Sequence, residues 1–480
     1  MNEMPNLYPG SVLCVDLDGT LSRTDTLVET VLMLMRQKPL ALLMLPLWLM
    51  RGRAAFKAAI ARAVAFDPGD LSYNDELIDW LRAEKAKGRR IVLATAADER
   101  IAGAIAEHLG FFDEVVASDG SANRKGRAKA DALRDIYGTF VYVANGDVDL
   151  PVWQAADGAV LVAGSSRVAK RLSARVTFDR VFEPVRAKAR WRLWLRQLRL
   201  HQWAKNGLMF VPLILSHQIL VPEKFLIVAA GFLAFSLCAS SVYVLNDLLD
   251  LGSDRRHATK KDRPFASGAL PLEQGLAVSP LLLLPAFAIA LAISPPFAAV
   301  LALYYFLTLA YSLDLKGRVL VDVFTLAGLY TIRIVAGGVV AGIHLSPWLL
   351  AFSIFLFLSL GIVKRVAELR ASVEQGVSEL RGRGYRTDDT PIMTALGVAS
   401  GYASVVIFSL YISAPDSRAL YPHHQFLWLF VPLILFWISR VWLKTWRGEM
   451  HEDPIVFALK DRGSQLTALA AAGVLLVAAL

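Results

Sequence analysis

Residues 241–264 read SVYVLNDLLDLGSDRRHATKKDRP, and the reading of this stretch decides how the chain divides. It closes a long apolar run with Asp247, Asp250 and Asp254 at i, i+3 and i+7. On a helix that spacing puts the three acids on one face, with Asn246 at its border. Carboxylates at a membrane edge are costly to keep and mark functional positions. Like charges so placed repel unless a cation joins them, and hard oxygen ligands here suit Mg²⁺, which shares its shell with substrate phosphates. A solvated loop following a span is the bland alternative; the apolar lead-in and the regular spacing argue against it.

Working outward, the chain has 480 residues, 55% of them hydrophobic and 19% charged, which is too apolar for a soluble protein and too charged for membrane throughout. A composite is expected. The net charge of +9 lies between apolar segments, which suits anionic lipids and phosphates and excludes nucleic acid as the partner. Cys14 falls in an expected strand and Cys238 in an expected span, so no mutual disulfide is expected. The opening MNEMPNLYPG lacks the regions of a signal peptide, so the first part of the chain is expected in the cytosol.

From about 11 to 185, the apolar runs SVLCVDL, RRIVLATAA, FDEVVAS, TFVYVANGD and GAVLVAG alternate with helical patterns such as ERIAGAIAEHLG. That alternation predicts an α/β doubly wound parallel sheet covered by helices, here over 1–185, with a helical cap inserted around 25–85. In the cap, residues 28–50 are strongly apolar, but Pro39, Pro46 and the central Arg36, Gln37 and Lys38 argue against a full span. Either this is the buried face of the cap or it dips into the bilayer surface. A basic linker, 186–204, has the Trp and Arg content of a segment at headgroup level.

Residues 205–480 predict an all-α membrane domain of about nine transmembrane helices, at roughly 206–220, 223–246, 276–294, 296–313, 319–342, 347–363, 392–413, 425–443 and 465–480. The loops on one side hold Arg255, Arg256, Lys260, Lys261, Arg263, Lys316, Arg318, Lys364, Arg365, Arg370, Arg381, Arg383, Arg386, Arg440, Lys444, Arg447, Lys460 and Arg462; the other side holds Lys224 and Arg418. The positive-inside rule then puts the N-terminal domain and the acid face on the cytoplasmic side. Tyr311 and Lys316 with Asp322, and the run Lys364, Arg365 and Glu368, add charge that suits a metal-held diphosphate and a second anion. Arg333 lies within an apolar segment, where a charge needs a reason.

NDLLDLGSDRRHATKKDRP resembles the NDxxDxxxD signature of the UbiA-type intramembrane prenyltransferases, helical bundles with a Mg²⁺-diphosphate site at the cytosolic face. Within that superfamily LRLHQWAKNGLMFVPL, YSLDLK, DVFTLAGLYTIRIVAGG and KRVAEL are similar to the polyprenyl-phosphate (decaprenyl-phosphate) phosphoribosyltransferase branch. The resemblance implies an integral, multi-pass protein of a bacterial inner membrane. It assigns metal and diphosphate binding to Asn246, Asp247, Asp250 and Asp254, with Lys205, Lys261, Arg263, Tyr311, Lys316, Asp322, Arg333, Lys364, Arg365 and Glu368 around the donor and the lipid phosphate. Members acting on aromatic substrates carry a second DxxxD, whereas Asp314 is followed at i+4 by Arg318.

In CVDLDGTLS, Asp16 and Asp18 end a strand where doubly wound sheets place their chemistry, and two carboxylates at i and i+2 can divide nucleophile and proton-transfer roles. The string resembles the DxDGT motif of haloacid dehalogenase-like (HAD) phosphatases. That resemblance implies Asp16 as nucleophile, Asp18 as general acid/base, Thr95 and Lys129 (with Lys125 as rival) on the phosphoryl group, and Asp16, Asp18, Asn145 and Asp149 around Mg²⁺. Asn145 stands where an acid is usual, and Asp147 is a nearby substitute.

The expectation is therefore a bifunctional enzyme. It transfers 5-phosphoribose from phosphoribosyl diphosphate (PRPP) to a polyprenyl phosphate, then removes the 5-phosphate to leave a lipid-linked pentose donor for cell-envelope glycan. The rivals are an aromatic prenyltransferase of quinone biosynthesis and a transferase with an inert regulatory HAD domain. The sequence leaves chain length, homo-oligomer formation and direct product transfer open.

Overall fold

The computed structural model describes residues 10–119, 124–163, 165–182, 190–257, 259–374, 383–450 and 453–480. The opening residues 1–9, linker residues 186–189 and Arg381 lie outside the described residues. Two compact units form: Met1–Leu198 with Tyr243–Ser279, and Arg199–Val242 with Pro280–Leu480.

The first unit is built on a six-stranded parallel sheet, with strands β1 Val12–Val15, β2 Ile91–Asp98, β3 Glu114–Ser118, β4 Phe140–Ala144, β5 Gly158–Val162 and β6 Arg180–Phe182 in the order β3-β2-β1-β4-β5-β6. Buried on both faces, β1, β4 and β5 read as continuous apolar runs rather than alternating ones. The chain leaves β1 for β2 on one side and returns to β4 on the other, so a crevice opens beyond the carboxyl ends of β1 and β4. Asp16 stands at that point, its N–H bonded to Val143 O at 2.9 Å. β6 went unanticipated because RVF is short and begins with a charge.

Helix Thr26–Gln37 starts the cap; Asp25 caps its N-terminus by accepting from Leu27 and Val28 N–H at 2.8 and 3.1 Å. Its Leu32, with Val28 and Met35 beside it, joins Val244, Leu248, Leu251 and Phe265 in one apolar cluster. Charge fixes the same contact: buried Glu29 pairs with Arg255 at 2.6 Å, and Arg255 also donates to Asp70 O at 2.6 Å. The loop carrying the acid motif is thus clamped by the cap within this unit.

Eight helices among the described residues are long and apolar enough to cross a membrane: Pro222–Leu249, Leu272–Ile293, Pro295–Leu313, Val321–Ala341, Pro347–Glu374, Thr387–Ser413, His424–Trp446 and Arg462–Ala479. The protein is an integral membrane protein. The expected first span is instead a 3₁₀ stretch, Leu200–Phe210, followed by the short helix Val211–Leu215. In the second unit it runs antiparallel to Pro222–Leu249: Trp203 Nε1 bonds Ser240 Oγ at 2.9 Å, Asn206 bonds Ser236 at 2.9 Å, and the Phe210 ring lies 5.9 Å from Phe232. Gly337 permits the close approach of the 3₁₀ stretch, since a Cβ there would lie 2.0 Å from Met209 O.

Candidate active sites

Three clusters of polar side chains stand out. In the first unit, Asp16, Asp18, Asp25, Lys57, Lys125, Lys129, Asn145 and Asp149 line a cavity of about 460 Å³ at the sheet crevice. Gly19, in the left-handed region at φ 75°, turns the chain there, and a Cβ on it would meet the Asn145 amide at 2.0 Å. Lys129 Nζ donates to Asp16 Oδ1 at 2.6 Å and to Tyr142 Oη at 2.9 Å; Tyr142 Oη donates to Asp149 at 3.2 Å. Lys129, rather than Lys125, therefore neutralises Asp16. Burial, with Asp25 and Asp16 nearby, pushes the Asp18 carboxyl up to about 7, even though it accepts from Thr26 N–H at 2.7 Å. Burial and the Asp16 charge push Asp149 up to about 6 against the pull of Lys129. Thr95 is buried and its Oγ1 accepts from Ala97 N–H at 3.0 Å. Asp147 pairs with Arg171 and is not among the residues lining the cavity, which Asn145 and Asp149 are.

Lys57 was missed by sequence reasoning. It reaches from the cap helix Arg53–Ala63 to Ala96 O at 2.6 Å, and burial lowers its ammonium pKa. A lone cap lysine carries no motif to find it by.

The acid motif forms the second cluster, also in the first unit. Arg263 Nη1 bridges Asp247 at 3.0 Å and Asp254 at 2.6 Å, while Asp250 pairs with Arg36 at 3.0 Å. Gln197 Nε2 donates to Asp247 at 2.7 Å. Burial raises the Asp254 carboxyl despite Arg263. Among the described residues no three His, Cys, Asp or Glu side chains are already gathered as a metal site. The donors nevertheless fit a divalent cation. Asp247 and Asp254 reach one cationic group together, and beside them Asn246 Oδ1 and Gln197 Oε1 are buried oxygens with no hydrogen-bond partner. Lys261 is exposed in the turn Lys260–Asp262.

The second unit holds the third cluster, in two parts. Arg365, fully buried, pairs with Asp322 and Glu368 and donates to Tyr311 Oη at 3.0 Å; Tyr311 Oη donates to Asp322 at 2.8 Å and accepts from Arg383 at 2.9 Å. Nearby in sequence, Lys316 lies in the turn Leu315–Gly317, and Asp314 pairs with Arg318 at 2.7 Å. Asp453 gathers Lys205 at 2.7 Å, Lys364 at 3.8 Å and the Tyr330 hydroxyl at 3.3 Å. An apolar cavity of about 660 Å³, lined by residues including Leu208, Ile334, Phe357 and Leu360, reaches Pro454 beside this group. Arg333 differs from expectation. It donates to Asn206 Oδ1 at 2.8 Å and Tyr304 Oη at 3.2 Å, with the Phe235, Tyr304 and Tyr330 rings around it, so it anchors the 3₁₀ stretch. Arg383 and Asp453 were missed as site residues; Asp453 is one of three acids in the stretch RGEMHED before Pro454, and nothing in the sequence singles it out.

Compared with protein families, residues 208–460 match the UbiA prenyltransferase family. The chain belongs to that family. Among similar proteins, the uncharacterized protein y4nM of Sinorhizobium fredii is 40% identical over 456 residues, 94% of this chain and 88% of that protein. A match of that length takes in both units. Nodulation protein NoeC of Azorhizobium caulinodans is 35% identical over 59% of this chain and 92% of its own length. A decaprenyl-phosphate phosphoribosyltransferase of Mycobacterium tuberculosis is 31% identical over 58% of this chain and 90% of its own. This UbiA family member therefore has relatives of the phosphoribosyl-transferring kind.

Proposed function

We propose that this UbiA family member transfers 5-phosphoribose from phosphoribosyl diphosphate to a polyprenyl phosphate, and that its Asp16 domain hydrolyses the 5-phosphate of the lipid product. The observation that carries the donor assignment is the 31% identity to decaprenyl-phosphate phosphoribosyltransferase across 90% of that enzyme. Asn246, Asp247, Asp254 and Gln197 Oε1 are the groups that would hold Mg²⁺. Bound there, the ion would neutralise charge on the departing diphosphate. Arg263 would move from the two carboxylates to the diphosphate oxygens. Lys205 and Lys364 would take the acceptor phosphate, with the prenyl chain in the apolar cavity. The phosphate oxygen attacks the anomeric carbon as the bond to diphosphate breaks, and diphosphate leaves with the electron pair. No base is needed for an acceptor that is already anionic.

In the Asp16 cavity, an Asp16 oxygen attacks phosphorus while Asp18, held protonated by burial, gives its proton to the departing ribose 5-oxygen. Water, deprotonated by Asp18, then releases inorganic phosphate. The pairing of Asp314 with Arg318 speaks against a second diphosphate-binding acid pair, and so against an aromatic prenyltransferase. A second reading, an inert Asp16 domain that steadies the acid-motif loop, is favoured by the Glu29–Arg255 and Arg36–Asp250 pairs. Purified protein given ribose-labelled phosphoribosyl diphosphate and polyprenyl phosphate should release diphosphate and label the lipid. Absence of labelled lipid overturns the transferase reading.

A further inference from the structure

The cap carries a feature that neither proposed reaction uses. Pro39–Met44 and Leu45–Met50 form two consecutive short helical turns without a single buried residue. Leu40, Leu43 and Met50 are 81%, 79% and 85% exposed, and Met44, Leu47 and Leu49 are exposed as well. A contiguous apolar patch of this kind marks a surface that is covered in use.

What covers it follows from three observations within the first unit. The first is position. The preceding helix Thr26–Gln37 packs Val28, Leu32 and Met35 against Val244, Leu248 and Leu251, at the end of the membrane-crossing helix Pro222–Leu249. Arg36 donates to Leu249 O at 2.9 Å and pairs with Asp250 at 3.0 Å. The end of a crossing helix lies at the bilayer edge, and Pro39 follows Arg36 by three residues. The second is charge. Arg36, Lys38, Arg51 and Arg53 flank the patch, and no acid occurs between Glu29 and Asp67, which complements anionic headgroups. The third is length and composition. The segment is far short of the ~20 residues a span needs, and it carries Trp48, a residue suited to the interface.

We propose that Pro39–Met50 lies in the bilayer interface on the side where Pro222–Leu249 ends, with its leucines and methionines among lipid acyl chains. Leu49 and Arg53 also line the Asp16 cavity, so the segment that meets the bilayer borders that cavity. The assignment does not depend on either proposed reaction.

The test uses the full chain in nanodiscs of phosphatidylcholine and phosphatidylglycerol, with nitroxide labels at Leu43→Cys and Met50→Cys. Cys14 and Cys238 are buried, and labelling of the native chain measures their background. A label at Ile136→Cys, exposed on helix Arg127–Tyr137, is the aqueous control. Power saturation should show oxygen accessibility above that of a water-soluble nickel complex, by at least about threefold, at 43 and 50 but not at 136. Equal or reversed accessibility overturns the proposal. So does dipolar broadening between labelled copies without the oxygen preference, which would make a second copy of the chain the occupant.

Discussion

Replacing Arg263 by Gln probes the acid motif without relying on turnover. The guanidinium bridges Asp247 and Asp254 at 3.0 and 2.6 Å, and these carboxylates are only 5% and 4% exposed. A hydrogen bond to a charged group contributes about 1.5–3 kcal/mol. Arg263 itself is 28% exposed, so solvent screening trims the pair of bonds to roughly 2–4 kcal/mol in total. At about 2–4 °C per kcal/mol for a unit the size of the one that holds Arg263, that unit should unfold roughly 4–16 °C lower in Arg263→Gln than in the native chain in EDTA. Mg²⁺ at a hundred times its Kd returns about 2.7 kcal/mol to the variant. In the native chain it returns less, because it must displace Arg263. Thermal unfolding of detergent-solubilised full-length protein, followed by tryptophan fluorescence with and without Mg²⁺, measures both. Unchanged stability of Arg263→Gln in EDTA, or equal Mg²⁺ stabilisation of both proteins, would refute the reasoning.

Other substitutions separate the remaining roles. Asp16→Asn should lower release of inorganic phosphate by at least about 100-fold while lipid labelling continues, checked by phosphate and lipid-extraction assays on one sample; unchanged release favours the inert reading. Arg365→Met should destabilise the protein by about 3–5 kcal/mol because it takes the nearest cation from the fully buried Asp322, leaving it Tyr311 and, at 3.5 Å, Arg383; adding Asp322→Leu should recover part of the loss in heat-challenge size-exclusion profiles. Lys364→Met should raise KM for polyprenyl phosphate about tenfold, a loss near 1.4 kcal/mol, with KM for the phosphoribosyl donor little changed in steady-state kinetics.

What the sequence disclosed and what it hid follow from the range of the forces involved. The runs SVLCVDL and TFVYVANGD announced β1 and β4 because a parallel strand buried on both faces has to be apolar throughout. The acid motif was legible because its setting is costly, but the expected single helical face of three acids was not found: the helix ends at Leu249, and Asp250 turns to Arg36 while Asp247 and Asp254 share Arg263. The motif's partners were not legible: Gln197 reaches Asp247 across fifty positions, and Arg36 reaches Asp250 from the cap, contacts that only tertiary folding creates. For the same reason the partners of Arg333 were not legible: its guanidinium donates to Asn206, Leu329 O and Tyr304. The stretch at roughly 206–220 read as an α-helical span, whereas it holds the end of the 3₁₀ stretch Leu200–Phe210 and the short helix Val211–Leu215, because hydropathy does not report the pitch of a helix. The apolar cap stretch could be read as buried or membrane-facing, and only exposure at Leu40, Leu43 and Met50 separates the two.

The most direct test of the central claim, that the Asp247–Asp254 face holds a divalent ion joined to diphosphate, is electron–nuclear double resonance of Mn²⁺ bound to the full-length protein with inorganic diphosphate. The account predicts a ³¹P coupling that is present in the native chain and absent from the Asp247→Asn/Asp254→Asn variant. A native spectrum without that coupling, or one that the two substitutions leave unchanged, would contradict it.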